Sequence, residues 1–105
     1  MKRLRLNTTQ IHGWASFHQA FKEMLGFPDF YGANMDAWVD CMSYLDDPSA
    51  GMSQVTIEAG EMLSLEILDT EEFKKRCPEQ FDALIDCTAF ANRRYAKPAL
   101  SLVFL

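Results

Sequence analysis

Between Met24 and Phe73 the chain has neither lysine nor arginine. Its ten basic residues sit toward the two ends, against fifteen acidic ones, for a net charge of −5. That deficit argues against nucleic acid or an anionic membrane surface as a partner. Cysteine is scarce: Cys41, Cys77 and Cys87 are an odd set with no short paired spacing. A secreted disulfide framework is not expected, and a reducing cytoplasm is the simplest location. The basic N-terminal segment MKRLRLNTTQIHGW lacks the apolar run of a signal peptide. Nowhere does an apolar run reach the roughly 18 residues of a membrane span.

Signatures of cofactor chemistry are missing too. His12 and His18 are the only histidines, and no CxxC, HxH or HExxH spacing accompanies them. No glycine-rich phosphate loop is present. The expectation is no metal, no cofactor and no catalytic residue. Cys41 falls on an apolar helical stripe, where a buried small side chain is the plainer reading than a nucleophile. Nothing marks Cys77 or Cys87 as activated. Glycine and proline do not cluster into a linker, so the 105 residues read as one domain, 1–105. With 49% hydrophobic residues the chain can build a core without staples.

What is present alternates between strand and helix patterns. KRLRLN at 2–7 puts Leu4 and Leu6 on one face of a short strand. In WASFHQAFKEML, Trp14, Phe17, Phe21, Met24 and Leu25 recur at helical spacing. Ser16 with Gln19 is a candidate capping box, and Gly26 and Pro28 end the helix. A second helix is predicted from Asn34, a good N-cap, to about Asp46. VTIE at 55–58 is a candidate extra short strand, and LSLEIL at 63–68 a stronger one. DTEEFKKRC and PEQFDALIDCTAFANRR read as two further helices, the latter opened by Pro78. PALSLVFL reads as a closing strand buried on both faces. Helical crossovers between strands imply an α/β fold with a parallel sheet.

The second helix poses a question. Met35, Trp38, Cys41, Met42 and Leu45 share one arc at 100° per residue and form its core face. Asp36 and Asp40, one turn apart, then point outward, with Asp47 near the same pole. Val39 and Tyr44 flank them, and Ser43 falls on the same outward arc. Like charges at i,i+4 repel, and no neighbouring cation in sequence offsets them. Asp36 gains up to about 1 kcal/mol from the helix N-terminus, and Asp40 less. Local helix stability therefore does not account for the pair. A solvated polar face is the plain explanation. The alternative is a docking surface for a basic partner, steered by charge and anchored by neighbouring aromatics.

From Trp14 to Leu45 the chain resembles the barstar family, intracellular inhibitors of secreted ribonucleases such as barnase. The residues that carry the likeness are His18-Gln19, Phe30-Tyr31-Gly32, Asn34 and the D-A-x-x-D-C run at 36–41. Beyond Asp47 the order of elements still matches, with an insertion around 48–62. The resemblance implies a three-stranded parallel sheet packed by about four helices. It also implies that the second helix and the loop before it plug a nuclease active site. On that correspondence Asp40 takes the place of a substrate phosphate, held by arginines and a histidine of the enzyme. Asp36 matches a second interfacial acid and Asn34 a polar contact, while Phe30 stands where a tyrosine is usual. Val39 replaces an interfacial tryptophan, and Asn92 falls near a contact glutamate of the last helix.

The sequence thus predicts a non-enzymatic inhibitor of a basic microbial ribonuclease. Its partner-binding residues are Phe30, Asn34, Asp36, Val39, Asp40, Ser43, Tyr44 and Asn92. The expected partner is a basic, barnase-like ribonuclease, and the free protein is expected to be a monomer. Two other classes stay open: an acidic adaptor of the same fold for another basic protein, and a small hydrolase using the two carboxylates. Tyr31 is as readily a packing residue as a contact.

Overall fold

In the computed structural model, which describes residues 1–105, three parallel strands alternate with paired helices. β1 spans Lys2–Asn7, β2 Leu63–Leu68 and β3 Leu100–Phe104. Between β1 and β2 lie α1 (Trp14–Leu25) and α2 (Met35–Met42). Between β2 and β3 lie α3 (Thr70–Arg76) and α4 (Pro78–Asn92). The sheet order is β1-β2-β3, with Leu4 opposite Leu65 and Leu65 opposite Leu102. This is the α/β architecture that the element order predicts: a three-stranded parallel sheet and four helices.

The central strand sets the core. Leu63, Leu65 and Ile67 are fully buried, and Phe17, Phe21, Trp38, Phe73 and Leu84 close over them from the helices. Phe21 meets Trp38 edge-to-face at 5.6 Å, which ties α1 to α2. α1 ends at Gly26, whose φ of 69° lies in the left-handed region. A Cβ there would sit 2.7 Å from Cβ of Gln54. Glycine is thus required both by the turn and by the loop that crosses it.

Four local expectations are corrected. The segment 55–58 is not a strand. The amides of Gln54 and Val55 donate to Leu25 O, and the Ile57 amide donates to Leu45 O. Those donors complete helix and loop ends and are not free for a ladder. The Ser16–Gln19 capping box does not form. Ser16 Oγ accepts from the His12 amide and donates to Gly13 O, while Gln19 Nε2 donates to Glu23. β3 is an edge strand with Phe104 exposed, not a strand buried on both faces. Finally, α2 stops at Met42 rather than near Asp46.

The early stop of α2 has a clear cause. The Tyr95 hydroxyl donates to Met42 O at 2.5 Å and accepts from the Leu45 amide at 3.0 Å. It satisfies the last helical carbonyl and takes the amide of the segment that follows. Burial pushes its phenol up to about 12, so it stays protonated and available as a donor.

Candidate functional site

Both ends of α2 are fixed by side chains. At its start Asn34 Oδ1 accepts from the Ala37 amide at 2.8 Å, the N-cap that the sequence predicts. Just before it, Ala33 holds a φ of 52°, an unusual conformation for alanine. The loop before α2 is braced from α1. His18 Nδ1 and the Tyr31 hydroxyl are hydrogen-bonded at 2.5 Å, and the Tyr31 ring packs on Phe27 at 4.8 Å. His18 is only 3% exposed, and burial holds its imidazole below the usual histidine range. Tyr31 is therefore chiefly a bracing residue, while its neighbour Phe30 is 76% exposed at the loop tip.

Asp36 and Asp40 both lie on the exposed side of α2, and Trp38, Cys41 and Met42 on its buried side. Half-buried Val39 separates them, and Tyr44 is exposed just past the helix end. These positions agree with the helical wheel. Ser43 does not. It is 7% exposed, and its hydroxyl donates to Val39 O at 2.5 Å. The wheel assumed that the helix continued, whereas it has already turned inward there.

Asn92 is also placed differently. Its Oδ1 accepts from the amides of Ala99 and Leu100 at 2.9 and 2.8 Å, and its Nδ2 donates to Leu100 O at 3.0 Å. The side chain thus clasps the start of β3 to the end of α4 and is not available to a partner.

What faces the acids from α4 is a different set, which the sequence reading missed. Cys87 and Phe90 of α4 and Arg94 just beyond it form one wall of a groove of about 460 Å³. Met35, Asp36, Val39 and Asp40 form the other. Phe90 is exposed, with the Arg93 guanidinium 5.2 Å from its ring centre. Burial, with the charges of Asp86 and Asp36, raises the Cys87 thiol above its usual range. Arg94 Nη1 donates to Asp40 Oδ1 at 2.9 Å. So a cation does compensate one of the two acids, 54 residues along the chain. Both side chains are about half exposed, 49% and 54%, and such a pair contributes about 0.2–1 kcal/mol. The available signal was an aromatic and an arginine four residues apart at the end of α4, one face of a helix carried on by one turn.

No group of His, Cys, Asp or Glu is arranged to hold a metal ion, and no helix is long and apolar enough to cross a membrane. The arrangement is instead an open groove rimmed by the carboxylates of α2, with exposed Phe90 on its α4 wall. Compared with known protein families, the whole chain, residues 1–105, matches the family described as Barstar (barnase inhibitor). With the parallel three-stranded sheet, the four helices and the outward carboxylates of α2 already in place, the chain belongs to the barstar family.

Proposed function

We propose that this protein inhibits a basic ribonuclease by occluding its active site with α2 and the preceding loop. The observation that carries the reading is the exposed carboxylate pair, Asp36 and Asp40, on a helix whose two ends are clamped. A clamped helix presents its charges without an ordering cost at binding. Asp40 stands at the centre of the surface, with Phe30 at its loop edge and Asn34, Asp36, Val39 and Tyr44 around it. Ser43 and Asn92 take no part, because their polar groups are committed inside the chain. Phe90 joins the surface from α4.

The mechanism is steric and electrostatic. A carboxylate on a rigid helix occupies the place where a nuclease binds phosphate, and cationic groups of the enzyme desolvate against it. Val39 leaves open a volume that a larger side chain would fill, so a target that fits well brings its own bulk to that groove.

The test is inhibition of barnase and of other basic ribonucleases by the wild type, Asp40→Ala and Asp47→Ala. Removing the central carboxylate is expected to cost about 2–5 kcal/mol of binding, and removing the peripheral one little. Equal losses would take Asp40 out of the central role. No inhibition of any basic ribonuclease by the wild type would overturn the reading.

A further inference from the structure

Arg94 already occupies the carboxylate to which the inhibitor reading assigns a partner's cation. Its backbone is fixed, the amide donating to Ala91 O at 3.1 Å. Its side chain is not, since the bond to Asp40 is the guanidinium's single hydrogen bond and the group is half exposed. The groove between α2 and α4 therefore already accepts an arginine, one supplied by the chain itself. The end of α4 does not depend on that contact, because Asn92 and Tyr95 anchor it through β3 and α2.

We infer that Arg94 is a specificity-determining residue of this surface: it masks Asp40 in the free protein, and a partner gains the anchor by displacing it with a guanidinium of its own. The inference rests on the reading of α2 as the inhibitory element. Arg94 holds only Oδ1 of Asp40, but a partner's guanidinium needs both oxygens for the two-pronged pairing and so competes with it. Arg94 left in place beside the partner's cations, sealed from water, adds to their mutual repulsion. A lysine offers a point charge without the fork and competes poorly with the resident arginine. An arginine of the partner has the matching geometry, with Asp36 one turn away as a further acceptor. The displaced Arg94 side chain is already half in solvent, so it rehydrates readily. Masking of this kind discriminates against partners that are merely basic and in favour of those with an arginine placed over Asp40.

Two probes separate this inference from the reading it rests on: a hexa-arginine peptide and barnase. Dissociation constants are measured for wild type, Arg94→Ala, Arg93→Ala and Lys97→Ala, each also in an Asp40→Ala background. The three single variants remove the same charge, so general electrostatics moves them together. Unmasking is expected to tighten binding of both probes by Arg94→Ala about 2–5-fold beyond the other two, the worth of an exposed ion pair. That extra gain should vanish in the Asp40→Ala background. An equal gain in all three variants, a loss of affinity in Arg94→Ala, or a gain that survives without Asp40 overturns the masking role. Should the peptide show the Asp40-dependent gain while no variant inhibits a ribonuclease, masking stands and the inhibitor reading falls. Should barnase binding depend on Asp40 with no Arg94 effect on either probe, the inhibitor reading stands and masking falls.

Discussion

Asn92 shows how one side chain changes meaning once its neighbours are known. In the sequence it falls near a family contact position, and in the structure all of its hydrogen bonds go to Ala99 and Leu100. Replacing it by alanine leaves two amides and a carbonyl of the β3 start without partners. The expected cost is about 2–3 kcal/mol of stability in urea unfolding, with ribonuclease binding unchanged once the variant is folded. A variant as stable as wild type but weakened in binding would return Asn92 to the interface. Asp36, Val39 and Asp40 were legible because a helical wheel needs only local periodicity. Arg94 was not, since its pairing with Asp40 spans 54 residues and depends on how α4 crosses α2. Ser43 was misplaced because the wheel carries no information about where a helix ends.

At the scale of elements, α2 is held by contacts that its own sequence does not contain. Removing the Tyr95 hydroxyl by Tyr95→Phe strands Met42 O and the Leu45 amide. The loss expected is about 1–3 kcal/mol, with faster hydrogen exchange at Leu45 than elsewhere in the core. Unchanged exchange there would show that the clamp is dispensable. The other brace is pH-sensitive. Buried His18 lies among Trp14, Phe17 and Tyr31, with Lys22 one turn further along α1. Burial lowers its pKa from 6.5, so below that value the unfolded chain takes up a proton that the folded chain resists. Its contribution to stability is therefore complete above about pH 6.5 and declines as the pH falls toward the folded value, by at most about 1.4 kcal/mol per pH unit. Urea unfolding of wild type and His18→Gln from pH 7.5 to 5.5 checks this, and the same slope in both would exclude His18 as its source. The elements themselves were mostly legible, including the Asn34 and Gly26 caps. The false strand at 55–58 shows the limit: Val55 and Ile57 have the composition of a strand, but their amides serve Leu25 and Leu45.

For the whole molecule, charge that is segregated in sequence is partly mixed in space. The N-terminal block reaches back through Arg5 to Glu66 at 2.9 Å, and the C-terminal block through Arg94 to Asp40 at the same distance. These contacts neutralise single acids without altering the net charge of −5. Asp36 remains exposed on α2, and Asp29, Asp46, Asp47 and Glu58 remain exposed in the loops. A net charge of −5 gives the molecule a field that attracts a cationic partner before any contact forms. Its range follows the Debye length, about 30 Å at 10 mM salt and a few ångströms near 1 M. The association rate with a basic ribonuclease is therefore expected to fall by about one to two decades between roughly 10 mM and 500 mM salt. The dissociation rate should move much less, because the bonds broken on leaving are short and desolvated. Stopped-flow mixing over that range separates the two constants. A flat association rate would mean that the remaining exposed acids do not act together as a field, and that recognition begins only at contact.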